Sequence, residues 1–319
     1  MNNFNHIFDI LSFIYKKSQR KDYIDFDEKN LKDLLIKNNL LTEYYFKNKD
    51  CKLELDHNYN KKLKSKIISL QNSIDICQKL IDNFLIFKTY RGDNFLRVPN
   101  DLDIIIEENY YEICKNKFLK EGFEIKDEII EEGSYGLHKE SFLKIHVHTE
   151  ISWCEKKFVT NDFLFKSPQK VKFHERSIEI PNMEAEFLLT IAHGNFEPLH
   201  LMISEIVYLY SMIKYIDINK IYNHAKKNNW DKTLRRNLGA LNDLHNKIYG
   251  EKIDKLSKYN TNFKDVFLNY HPPYTYKRLH LIKSVIETRI FKYVLRKVPK
   301  VLEHIFKMNT FNYLKPPEK

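Results

Sequence analysis

Seven glycines in 319 residues set the first limit on what this chain can fold into. Glycine supplies the left-handed backbone of tight hairpins, and proline, present 9 times, presets the other common turns. A β-sandwich or barrel needs such residues at most strand junctions, so the chain has room for one modest sheet among helices. Apolar material is plentiful: 22 Phe and 20 Tyr within a 43% hydrophobic composition suffice for a core. The expected class is α+β.

Periodicity divides the chain in three. Up to residue 83, apolar residues recur at helical spacing over 5–17, in "EKNLKDLLIKNNLL", and over 61–81, where Leu63, Ile67, Leu70, Ile74, Ile76 and Leu80 fall near one face. "NFLIFKTY" then changes the period to that of a short buried strand. A polar, basic loop "RGDNFLRVPN" leads to a second strand, "DLDIIIEE". A helix over 110–120 stops at Gly122, "FEIKDEII" reads as a third strand, and "EEGSYG" as a turn. "LHKESFLKIHVHTEISW" supplies one or two more strands. After Pro181 the pattern is helical throughout. The expected parts are an N-terminal helical region (1–83), a small α+β core with a mixed sheet (84–180) and a C-terminal helical domain with a basic tail (181–319).

Several classes are disfavoured. Cys51, Cys77, Cys114 and Cys154 are scattered without a C-x-x-C pair, which argues against a disulfide framework or a cysteine-zinc module. The first residues, "MNNFNHIFDILSFIYKK", lack a basic start and carry Asp9 inside the apolar run, unlike a signal peptide. No apolar stretch nears the roughly 18 residues of a membrane span. A soluble, cytoplasmic protein is expected. From His271 onward eleven Lys and Arg stand against three Glu, which places +8 of the chain's +10 net charge in the tail. Such a tail is either the solvated face of a helix or a surface for a polyanion, so RNA is a candidate partner, as is a protein acceptor.

The chemistry concentrates in the middle. Asp101 and Asp103 flank Leu102 at the start of a strand, and period-2 geometry sends both carboxylates to one face. Two such carboxylates repel unless a cation lies between them, and Mg²⁺ takes one or two carboxylates plus substrate phosphates. The preceding strand end and loop bring Lys88, Thr89, Arg91 and Arg97, the groups a triphosphate needs. In "KIHVHTEISW", residues 144–153, His146, His148 and Glu150 fall at every second position, on one face if the strand is continuous. Further on, His193, Glu197 and His200 share a helical face, although Pro198 argues against an unbroken helix. That set reads more simply as a polar cluster at a helix end, and Trp153 and Trp230 as core residues.

The order of helix, strand ending in "KT", basic loop, "DLDIII", helix, strand and "IHVHTEISW" resembles the uncharacterised nucleotidyltransferase branch of the DNA polymerase beta-like superfamily. The likeness covers about residues 31–211, includes the helix opening "PNMEAEFLLTIAHG", and is strongest over 87–153. Lys88-Thr89 stands where the superfamily has a Gly-Ser turn, and His146 stands where it has a third acidic residue. The resemblance implies transfer of NMP from an NTP, ATP among the candidates, to an acceptor, with Mg²⁺ or Mn²⁺ as cofactor. It implies Asp101, Asp103 and Glu150 as catalytic residues, metal ligation by Asp101 and Asp103 with His146 and His148, and triphosphate contacts from Lys88, Thr89, Arg91 and Arg97. Two other functions fit the residues. One is nucleotide or RNA binding on the same fold without turnover; the other is a zinc hydrolase built on His146 and His148.

Overall fold

The computed structural model describes residues 57–88, 99–127, 133–153, 156–173, 176–196 and 203–261. The helices expected before residue 57 and the basic tail lie outside them. The α+β class holds: five strands form one mixed sheet, and helices surround it.

Helix α1 (His57–Leu80) leads into β1 (Phe84–Phe87), and β2 (Asp101–Ile106) follows. A 3₁₀ turn and α2 (Tyr111–Lys120) cross to β3 (Glu124–Asp127), β4 (Ser134–His138) and β5 (Lys144–His148). Gly122 ends α2 with φ +80°, the left-handed stop expected there. The spatial order is β1-β2-β5-β4-β3, with β2 and β5 parallel and every other pair antiparallel.

Register sorts the side chains. Ile86 pairs with Ile104, Leu102 with Ile145, Ile104 with Val147, and Tyr135 with Val147, so these residues share one face. That face is the main core. Leu70, Ile74, Cys77 and Ile81, one helical stripe running from α1, pack on it together with Cys114 and Phe118 of α2. Each fully buried Leu, Ile or Phe contributes about 1.5–3 kcal/mol, so α1 is held as firmly as a strand. The helix that the sequence places in an N-terminal region therefore shares its core with the sheet.

The opposite face carries Asp103 and, beside it, His146 and His148. Two small hairpins follow: β6 (Ile151–Trp153) with β7 (Lys156–Val159), and, after the one-turn α3 (Asn161–Leu164), β8 (Gln169–Phe173) with β9 (Arg176–Ile180). The second hairpin is tied to α1, where the Arg176 guanidinium meets Asp75 through Nε at 2.5 Å and through its second nitrogen at 2.6 Å.

Four helices complete the described fold: α4 (Met183–Phe196), α5 (Ile203–Met212), α6 (Ile218–Lys227) and α7 (Asp231–Tyr249). Asn182 caps α4 by accepting the Ala185 N–H at 2.9 Å, and Asp217 caps α6 by accepting from Asn219 and Lys220. Trp230, fully buried as expected of a core residue, donates its indole N–H to the Phe158 carbonyl of β7 at 3.0 Å. No helix among the described residues is long and apolar enough to cross a membrane.

Candidate metal and nucleotide site

Asp103 sits directly opposite His146 on the parallel strand β5, and Ile105 sits opposite His148, so both imidazoles lie on the Asp103 side of the sheet. On its other flank Asp103 pairs with Phe87, the last residue of β1. The pairing β1-β2-β5 thus brings Lys88, Asp103 and the two histidines to one spot. All three of Asp103, His146 and His148 are buried, at 5%, 9% and 5% exposure.

The two carboxylate oxygens of Asp103 face different partners. Oδ1 lies 3.3 Å from His148 Nε2 and 3.6 Å from His146 Nδ1, while Oδ2 lies 3.4 Å from Lys88 Nζ. The His146 and His148 rings stand 4.4 Å apart, and the Phe87 ring meets His148 edge-on at 5.3 Å. Burial pushes the Asp103 carboxyl upward. The Lys88 charge and the two histidines outweigh burial and hold it well below the usual carboxylate range. Asp103 is therefore an anion in a nearly dry place.

Lys88 reaches that place through an uncommon backbone. Its φ is +58°, in the left-handed region that a side chain rarely adopts, and its N–H donates to Glu186 Oε1 at 2.9 Å. The same oxygen accepts the Tyr208 hydroxyl at 3.2 Å. Glu186, only 1% exposed on α4, thus binds the end of β1 to the helical part. Sequence reasoning passed over Glu186; the available signal was an acid inside the apolar run "MEAEFLLTIA".

The remaining expected residues divide clearly. Asp101 sits opposite Lys144, and its carboxyl is raised, by burial first and by the neighbouring Asp103 charge next. Glu150 is not on the strand with the histidines: β5 ends at His148, and the Glu150 carboxylate lies 2.5 Å from Lys157 Nζ. Just past the end of β5 the Gly133 carbonyl accepts both the Thr149 N–H, at 2.9 Å, and its hydroxyl, at 3.1 Å. Thr89, Arg91 and Arg97 lie outside the described residues, as do Glu197 and His200. His193, on α4, has its Nδ1 3.4 Å from Glu205 on α5.

One group of at least three acid, histidine or cysteine side chains converges among the described residues: Asp103, His146 and His148, with ligand atoms all within 4.8 Å of one another. A single carboxylate with two imidazoles is a poor set for Mg²⁺, which favours oxygen, and a good one for ions that accept imidazole nitrogen. The Asp101–Asp103 pair alone keeps the oxygen-rich character that Mg²⁺ or Mn²⁺ would use.

No family model matches the chain. A segment of 136 residues is 39% identical to an uncharacterized protein of Plasmodium falciparum (isolate 3D7), covering 41% of this chain and 11% of that protein. The chain spans only about a tenth of that relative's length, and the likeness carries no activity with it.

Proposed function

We propose that this protein is a nucleotidyltransferase-like enzyme that moves an NMP group from an NTP to an acceptor. The observation that carries this reading is the pairing of β2 with β5 beside the end of β1. It sets Asp101, Asp103 and Lys88 together beside the end of β1, in the chain order of the nucleotidyltransferase pattern. Lys88, placed by its left-handed backbone, is the group that meets phosphate charge, and Asp103 holds its ammonium in place beforehand. The raised Asp101 carboxyl and the anionic Asp103 form a field that an added cation relieves. Mg²⁺ or Mn²⁺ arriving with the triphosphate would lie on these two carboxylates and neutralise phosphate charge. Arg91 and Arg97 in the loop before β2 are proposed as further triphosphate contacts.

A second reading rests on a specific observation. His146, which stands where the resembled pattern has a third acidic residue, lies 3.6 Å from Asp103, and the Lys88 ammonium lies 3.4 Å from its other oxygen. A site in that state suits nucleotide binding without turnover. One experiment decides between the two. Each α-labelled NTP is incubated with the protein and with cellular RNA or cellular protein as acceptor. Label appearing in an acceptor, and lost in Asp101→Asn and Asp103→Asn, supports transfer. Tight NTP binding with no labelled product supports the binding role, and absence of both overturns the proposal.

A further inference from the structure

We propose that Asp103, His146 and His148 form a three-ligand site for a four-coordinate transition-metal ion of the zinc class, which displaces Lys88 from Asp103 on binding. The inference shares Asp103 with the nucleotidyl-transfer reading but stands on the donor set and its spacing alone.

Spacing decides which ion the group fits. Ligand atoms about 2.0–2.1 Å from a tetrahedral ion stand about 3.3–3.4 Å from one another. Octahedral neighbours at Mg²⁺ distances stand only about 2.9 Å apart. Here the Asp103 Oδ1 to His148 Nε2 separation is 3.3 Å and the Oδ1 to His146 Nδ1 separation is 3.6 Å. Two of the three edges thus stand at or near tetrahedral separations, and all three ligand atoms lie within 4.8 Å of one another, so the imidazoles need only close around the ion. Two imidazoles and one carboxylate are also the ligand types of three-ligand zinc centres, which keep a fourth position for water or substrate.

Two features favour a built site over a chance cluster. The three residues come from two adjacent strands in fixed register, so their spacing follows from the sheet rather than from loop conformations. They are also buried, and a buried anion among imidazoles is costly without a cation. Lys88 now supplies that cation through Oδ2, from a side chain that keeps 16% exposure. Its ammonium carries one charge on a flexible stem, and a divalent ion at Oδ1 would leave no electrostatic need for it. Lys88 is thereby freed toward the solvent side, where a phosphate would arrive.

The test uses the full chain, stripped of metal with chelator and dialysed against Zn²⁺, Co²⁺ or Mg²⁺ in turn. The expected result is about one Zn²⁺ or Co²⁺ per chain, Co²⁺ giving the intense visible absorption of a four-coordinate ion, and no comparable retention of Mg²⁺. His146→Ala and His148→Ala should each weaken Zn²⁺ binding by about 10–100-fold or more. Lys88→Met should tighten it, because the competing ammonium is gone. Should the alanine variants unfold, His146→Gln and His148→Gln, checked by circular dichroism, take their place. No stoichiometric Zn²⁺ or Co²⁺, or uptake that survives loss of both histidines, overturns the proposal. So does a six-coordinate Co²⁺ spectrum. Asp101→Asn separates the two readings: it lies outside the three-ligand group, so NTP binding can fail there while metal uptake is untouched.

Discussion

Two aspartates two residues apart should respond to mutation with opposite signs. Asp103 has a depressed carboxyl, so its contribution to stability is complete above the ordinary carboxylate range and disappears as pH falls toward the lowered folded value. Asp103→Asn should cost about 3 kcal/mol at pH 7, since it leaves the Lys88 ammonium without its buried partner, and should flatten the acid limb of stability. Asp101 has a raised carboxyl, so ionising it works against the fold, and that loss appears as pH rises through the raised value. Asp101→Asn should therefore increase Tm at pH 7 and change little at low pH. Thermal melts of both variants from pH 7 to pH 3 check the pair; shifts of the same sign at pH 7 would refute the assignment. Perturbed carboxyls of this kind are built both by functional sites and by structural ion networks.

At the scale of elements, helix α1 belongs with the sheet. Ile74 and Leu70 are fully buried against β1, β2 and β5, so Ile74→Ala or Leu70→Ala should each cost about 2–5 kcal/mol in urea unfolding. A chain beginning at residue 84 should fail to give a cooperative transition, although periodicity places a boundary there. β1, β2, β3, β5 and α2 were legible from their apolar patterning and from the stop at Gly122, whereas β4 starts at Ser134 inside a stretch that reads as a turn, and the polar hairpin strands β7, β8 and β9 carry no such pattern. The convergence of Asp103 with the histidines was partly legible, since D-x-D and H-x-H each fix one face. Glu150 was misplaced with them, because a period continues on paper past a point where the backbone turns. The strand ends at His148, although Thr149 still meets Gly133 through its N–H and hydroxyl, and the alternation of side chains reports no such end. The Lys88 contact was hidden for a similar reason. It depends on a left-handed residue whose N–H is held by Glu186, 98 positions away.

For the whole molecule, charge and assembly are the governing quantities. With +8 of the +10 net charge beyond residue 270, binding to single-stranded RNA, if the tail carries it, should weaken steeply as salt rises. Removing residues 271–319 should abolish that binding and leave NTP affinity unchanged, as measured by filter binding over a range of salt. An equal loss of both would place the polyanion surface at the sheet instead. The pairing of β2 with β5 also has a meaning in time. Asp103 leaves the ribosome 43 residues before the His146 that faces it, and 83 before the Glu186 that fixes its lysine neighbour. During synthesis the aspartate is thus an ordinary solvated acid. Its character as a dry anion held between Lys88 and two imidazoles is acquired only when distant parts of the chain close over it. A nascent chain halted before β5 should therefore hold neither ion nor nucleotide, which makes ligand capture a report that the two strands have closed.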